Sequence, residues 1–459
     1  MYQIDFSHPV SVHFIGIGGI SMSGLAQVLL ERGFTVSGSD SAQSALTQAL
    51  AEKGARIFYG QKADNVSSRP DLVVYTAAIH PDNPEYAAAI SLGIPTLTRA
   101  QLLGQMMKNY RHAVAVAGTH GKTTTTSMLA QIFMEGNLDP TVSVGGILPS
   151  IGGNIRVGKS DLFLTEACEY TDSFLSFFPT IGIILNMDAD HLDYFDGIEH
   201  IRRSFASFAA LLPSDGALII NTDTPCWEQA ASGLSCRVIT FGIDNPADYT
   251  AENVSVDQYG HSGFSVLKGG RKIMDVCLKV PGIHNVSNAL AAVAAAELLG
   301  IPADVIVRGL GSFSGAERRF EYKGQTGGVT IIDDYAHHPT EISATLSAAK
   351  DYPHKKLWCV FQPHTYSRTK ALLEEFADAL SAADHVVLAD IYAAREKDDG
   401  SVSSEDLRNK IAAKGTPCEY FPSFEEIESW LLSQCASGDL ILTMGAGSIF
   451  KVGEDLLGK

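Results

Sequence analysis

The sequence predicts an α/β protein of three successive units, each built on a parallel sheet with right-handed crossovers. Three observations carry this expectation. Short apolar, β-branched runs alternate with helical patterns along the chain, as in strands joined by crossover helices. Strand-then-glycine openings recur, dividing the chain into units at 1–108, 109–315 and 316–459. The length of 459 residues accommodates roughly three domains at about 150 residues each, every one with its own core.

The first unit opens with an apolar run at 10–15 that enters Gly16-Ile17-Gly18-Gly19 and then a helical pattern at 22–30. Further alternation follows through a strand at 72–75, until the polar, basic stretch 108–112 breaks it as a linker would. A second strand at 113–117 runs into Gly118-Thr119-His120-Gly121-Lys122, with buried-strand patterns at 162–165, 181–185 and 217–220. The Ala-rich helix 289–299 closes this unit, stopped by Gly300 and Pro302. After the Gly/Ser boundary at 310–319, strands are expected at 329–332, 357–361, 385–388 and 440–443, with helices at 340–349 and 370–380.

Composition limits the function. Hydrophobic residues at 45% and charged residues at 19% are ordinary globular values, which excludes extended disorder. A net charge of -18 excludes binding to nucleic acid or anionic lipid through the overall field. Phosphates must then be handled by a few placed cations, backbone amides and divalent metal. Seven cysteines without a CxxC pair read as reduced thiols of a cytoplasmic protein, and no apolar run is long enough to span a membrane.

The strongest motif is the run of ten residues from Ala117 to Thr126, AGTHGKTTTT, between a strand and a helix. Such a turn lets backbone amides close on phosphate oxygens, with Lys122 reaching the β and γ phosphates and Thr123 placing its hydroxyl on Mg²⁺. Val116 stands where the full P-loop pattern has its leading Gly, so this is a shortened variant; the competing reading is a tight turn with an incidental Lys. The loop Gly16, Gly18, Gly19 and Ser21, with Asp40 some twenty residues on, resembles a dinucleotide fingerprint whose third glycine is replaced by Ser21. A diphosphate on the helix opening at Ser21 is favoured over a bare turn.

Between residues 161 and 199 lie nine acids and no Lys or Arg, which makes this segment either a solvated face or a metal site. Glu166 and the Asp190-His191 pair follow apolar strands, at the edge where open α/β sheets place ligands. Asn285 and Asn288 open the Ala-rich helix, where they either hold a nucleotide or cap the turn. Arg318-Arg319-Phe320 follows the second boundary, where a hinge Arg either reaches a γ-phosphate or makes a surface ion pair. In the third unit Asp333-Asp334-Tyr335-Ala336-His337-His338-Pro339 and Gln362-Pro363-His364-Thr365-Tyr366-Ser367-Arg368 follow successive strands. They suggest one pocket for a small polar molecule, with Arg368 as carboxylate anchor and His337 either a ligand-binding or a structural histidine.

The shortened loop, Glu166, Asp190-His191, HNxxN at 284–288, RRF at 318–320 and DDYAHHPTE at 333–341 resemble, in order and across essentially the whole chain, the ATP-dependent Mur ligase family. The runs GIGGISMSG at 16–24 and FQPHTYSRT at 361–369 resemble its L-alanine-adding branch; Thr365 departs from the Arg that other members often carry. The resemblance implies a Rossmann-like N-terminal domain for a UDP-sugar, a central P-loop ATPase-like domain and a Rossmann-like C-terminal domain for an amino acid. It implies that L-alanine is joined to the lactyl carboxylate of UDP-N-acetylmuramate, through an acyl phosphate made from ATP, by a monomer or dimer in the cytoplasm.

Carried over residue by residue, Lys122, Glu166, His191 and Arg319 become catalytic, and Thr123, Glu166 and His191 hold Mg²⁺. ATP falls to Gly118, Thr119, His120, Gly121, Lys122, Thr123, Thr124, Asn285, Asn288, Arg319 and Asp334. The UDP-sugar falls to Gly16, Gly18, Gly19, Ser21 and Asp40, and L-alanine to Tyr335, His337 and Arg368. Several related ligases bind a second metal through a carbamylated lysine, but no Lys lies between Lys159 and Lys268 here. A tripeptide-adding recycling ligase is the alternative within the family; a nicotinamide-dependent dehydrogenase or a nucleotide-sensing module is the alternative outside it.

Overall fold

The computed structural model describes residues 2–76, 78–192, 194–394, 396–398 and 400–458. Asp193 of the acidic run therefore lies outside the described residues. The chain forms two compact units, one of residues 1–118, 133–187 and 202–239, the other of 119–132, 188–201 and 240–459. Among the described residues no helix is long and apolar enough to cross a membrane.

In the first unit, five strands pair in parallel in the order Arg56–Tyr59, Thr35–Asp40, Ser11–Ile15, Leu72–Tyr75, Thr96–Thr98. Val12, Phe14 and Ile15 are buried beside Leu72, Val73 and Val74, the near-continuous apolar run of a sheet covered on both faces. The strand order reverses at Ser11–Ile15, so the loop leaving that strand sits at the switch point where such sheets bind ligands. In the second sheet of this unit, His112–Ala117 lies between Leu162–Ala167 and Ile181–Ile184, all parallel. Ala217–Asn221 and Thr141–Leu148 flank them in parallel, and Gly153–Arg156 adds an antiparallel edge.

In the second unit, Tyr249–Val256, His261–Lys268 and Arg271–Pro281 form an antiparallel meander. The helix Ile283–Leu298 follows, and its all-apolar stretch 289–296 is buried throughout. The C-terminal sheet runs Glu321–Thr326, Val329–Asp334, Leu440–Met444, Leu357–Phe361, His385–Leu388, Cys418–Tyr420, parallel except at its first pair. Alternate residues feed two cores: Ile332, Cys359, Phe361 and Leu442 on one face, Ile331, Trp358, Val360 and Ile441 on the other.

Two expectations need correction. Parallel sheets in every unit fail at the meander, at the Glu321–Thr326 edge and at the Gly153–Arg156 edge. The first two contain a Gly-Gly hairpin: Gly269-Gly270 and Gly327-Gly328 take φ of 55°, 74°, 56° and 80°, the left-handed pair that a two-residue turn requires and glycine tolerates. The single helix expected over 370–380 is two, Tyr366–Ala371 and Leu373–Leu380, meeting at Leu372 with φ -118° and ψ 27°.

Candidate functional site

In the first unit the glycine loop is fixed from below. The Gly16 and Ile17 N–H groups donate to the Ser39 carbonyl at 2.9 and 3.0 Å, and Gly19 N–H donates to Gly16 O at 3.3 Å. Gly18 N–H donates to Asp40 Oδ2 at 2.8 Å, and Asp40 Oδ1 accepts Ser41 N–H at 2.8 Å. Ser39 in turn donates to the buried Glu85 at 2.5 Å. Gly16, Gly18 and Gly19 thus shape the turn with their amides already hydrogen-bonded. The amides that remain belong to the first turn of the helix Ile20–Glu31, which has no side-chain cap. There Ser21 Oγ accepts from Arg99 Nη1 at 3.2 Å. Glu166, on Leu162–Ala167, accepts Gly145 N–H at 2.6 Å, and Gly118 ends the unit with φ 147°.

The second unit holds a dense polar cluster. Thr119 Oγ1 accepts Asp188 N–H at 2.9 Å, tying the phosphate loop to the acidic segment. His120 faces Asp188 Oδ2 through Nε2 and Glu341 Oε1 through Nδ1, each at 3.2 Å. Burial opposes its charge, but the hydrogen bonds to these carboxylates outweigh burial and raise the imidazole to about 9. It is a cation within the loop. Gly121, at φ 82°, leaves so little room that a Cβ would lie 2.6 Å from Asn288 Oδ1. Lys122 Nζ donates to Thr119 O at 3.1 Å, and Thr123 is buried at the start of its helix beside Thr124. Asn288 donates to Asn285 Oδ1 at 3.1 Å, and Asn285 to Pro281 O at 2.7 Å.

Glu341 joins this loop to the His337-His338 turn. Its Oε2 accepts His337 N–H at 3.1 Å while its other oxygen faces His120; burial disfavours its charge, yet His337, His120 and Arg319 hold it well below the usual carboxylate range. Burial drives His337 down to about 4, so its ring is neutral near pH 7. His338 accepts Thr340 N–H through Nδ1 and so donates through Nε2 to Ala189 O at 3.2 Å. Asp334, pushed up to about 6 by burial, accepts Phe320 and Ala336 N–H, each at 2.7 Å. It fastens two motifs together, and any nucleotide contact would be additional to those bonds. Arg318 donates to Asp333 Oδ2 at 2.9 Å and to the Gly445 and Gly447 carbonyls, whereas Arg319 lies 5.2 Å over the Tyr335 ring.

Arg368 differs from the open anchor expected of it. Nη2 donates to Asp190 Oδ1 at 2.9 Å, and Nη1 lies 3.2 Å from His364 Nδ1. Burial disfavours the Asp190 charge, but Arg368 and His191 keep that carboxyl strongly acidic. His191 sits in the left-handed region at φ 51°. The sequence reading left Asp188, Asp190, Glu341 and Arg99 without roles. The i,i+4 spacing of His337 and Glu341 at a helix start was the one local signal available for any of them; the other pairings span up to 221 residues.

Three family models match the chain: Mur ligase family, catalytic domain at 11–111, Mur ligase middle domain at 116–296, and Mur ligase, glutamate ligase domain at 318–447. The UDP-N-acetylmuramate--L-alanine ligases of Agathobacter rectalis and Lachnospira eligens are each 58% identical over 459 residues, covering 100% of both chains. The crystal structure of the UDP-N-acetylmuramate-alanine ligase of Thermotoga maritima is similar at a TM-score of 0.80 and 30% identity, covering 98% of each chain. A murein peptide ligase from Psychrobacter arcticus is similar at 0.70 and 28%, with the same coverage.

Proposed function

The chain belongs to the Mur ligase family, and we propose how its residues divide the work of the ligation. It is an ATP-dependent ligase of peptidoglycan synthesis that joins L-alanine to UDP-N-acetylmuramate. The observation that carries this reading is the 58% identity running from end to end. We divide the work among 1–108 for the UDP-sugar, 109–315 for ATP and 316–459 for the amino acid, in keeping with the three family spans.

A carboxylate is a poor electrophile, so the γ-phosphoryl of ATP first moves to the lactyl carboxylate. The alanine amine then attacks the acyl carbon, and phosphate leaves with the C–O electron pair. Phosphoryl transfer asks for positioning and charge neutralisation. Lys122 and Arg319 supply positive charge; among the described residues no carboxylate forms an ion pair with Arg319. The phosphate loop 118–124 cradles ATP, with Asn285 and Asn288 bracing Gly121 and Asp334 holding the RRF turn that carries Arg319. Tyr335, His337 and Arg368 receive alanine, whose carboxylate shares Arg368 with Asp190. Ser21 marks the helix turn that receives the UDP diphosphate, on a loop shaped by Gly16, Gly18, Gly19 and Asp40.

Thr123 and Glu166 offer the oxygens that Mg²⁺ demands, while the His191 nitrogen suits it less. Among the described residues no three His, Cys, Asp or Glu side chains converge as a metal cage, so a Mg²⁺ held by any one of these side chains would complete its shell with phosphate oxygens and water. When bound there, Mg²⁺ would neutralise charge developing on the transferred phosphoryl group. We place the reaction in the cytoplasm, where ATP and nucleotide sugars are available.

Purified protein with UDP-N-acetylmuramate, ATP and Mg²⁺ should release phosphate when L-alanine is added. Release only with the tripeptide would move the assignment to the recycling ligase, and none with either would overturn it.

A further inference from the structure

Arg99 begins the helix Arg99–Met107 directly after the strand Thr96–Thr98, so it stands at the carboxyl edge of the N-terminal sheet. Its Nη1 donates to Ser21 Oγ. The Cys168 thiol lies nearby, and burial disfavours the guanidinium charge. Among the described residues no carboxylate forms an ion pair with it. Desolvating a cation is costly, and one hydroxyl does not repay it. The cost is repaid when an anion arrives whose paired oxygens match the guanidinium fork. The glycine loop cannot supply the countercharge itself, because the amides of residues 16–19 are bound to Ser39, Asp40 and Gly16.

We propose that Arg99 is the cation that anchors the diphosphate of the sugar nucleotide, its guanidinium turning from Ser21 Oγ onto phosphate oxygens above the first turn of Ile20–Glu31. The assignment deepens the UDP-sugar reading and rests on it. It makes the glycine loop a shaped floor, and Arg99 with the free helix amides the recognition element.

The test compares UDP with uridine as calorimetric ligands of the full-length protein. In Arg99→Ala, UDP affinity should fall by about tenfold or more while uridine affinity holds. Arg99→Lys, which keeps the charge and loses the fork, should fall between. In turnover, the KM for UDP-N-acetylmuramate should rise with that for ATP unchanged. Equal losses for UDP and uridine, or an unchanged UDP affinity, would overturn the assignment. If Arg99→Ala fails to fold, the UDP-to-uridine ratio of Arg99→Lys decides in the same way. Absence of turnover with any acceptor would remove the ligase reading yet leave this comparison valid; turnover with Arg99-independent UDP affinity would remove only the present proposal.

Discussion

Lys122 donates to the carbonyl of Thr119 three residues back, an interaction that a nucleotide's γ-phosphate would outcompete. Lys122→Ala should therefore abolish phosphate release while UDP binding, measured by calorimetry, stays intact; loss of both would show that the two phosphate sites are not separate. His120 makes a different prediction, on pH. Its imidazole is raised from 6.5 to about 9 in the folded chain, so its contribution to stability is complete below 6.5 and is lost as the pH rises through 9. The contribution is at most roughly 3 kcal/mol. Thermal midpoints between pH 6.5 and 9.5 should fall for the wild type and stay flatter for His120→Gln. An alanine carboxylate would share Arg368 with Asp190, so Arg368→Ala should raise the KM for L-alanine well above any change in the KM for ATP. Equal changes in both would remove the carboxylate-anchor role.

At the scale of elements, the helix Lys122–Glu135 depends on the turn before it. Gly121→Ala must place a Cβ against Asn288 at a left-handed φ, so a loss of roughly 1–3 kcal/mol in urea unfolding and a larger loss in turnover are expected. Strands such as Leu357–Phe361 and His385–Leu388 were legible in the sequence because both faces are buried and the runs are continuously apolar. The phosphate loop was legible because its chemistry is local. The meander Tyr249–Pro281 was not, since Tyr249–Val256 is exposed over most of its length and Arg271–Pro281 mixes charged, exposed residues with buried ones; yet Gly269-Gly270 marked one of its turns in plain view. The ion-pair network was hidden for another reason. Asp190 and Arg368 are both polar and both near strand ends, but nothing in either local pattern says that they meet.

For the molecule as a whole, the net charge of -18 takes on structure. Residues 1–108 hold seven cations against eight anions, 109–315 hold twelve against twenty-one, and 316–459 hold fifteen against twenty-three. From sequence the acidic run 161–199 reads as either a solvated face or a metal site, with Glu166 and His191 as its metal candidates. Asp188 and Asp190 instead spend their charge on His120 and Arg368, which leaves Glu166 as its strongest metal candidate. Acid should destabilise the protein through buried neutral histidines. Burial holds His337 and His385 near 4, below the ordinary 6.5, so their favourable share is present above 6.5 and is lost as the pH falls toward 4. Urea midpoints should drop across that window, and replacing His385 with an uncharged residue should blunt the drop. Leu440–Met444 pairs with Val329–Asp334 on one side and Leu357–Phe361 on the other, although it follows both of them, and the strands His385–Leu388 and Cys418–Tyr420 as well, along the chain. During synthesis the middle of this sheet thus emerges after the strands on either side of it, and the two halves wait, apolar edges open, until it follows. A ribosome stalled before residue 440 would release two half-sheets with no strand between them, the kind of fragment that chaperones and proteases must clear.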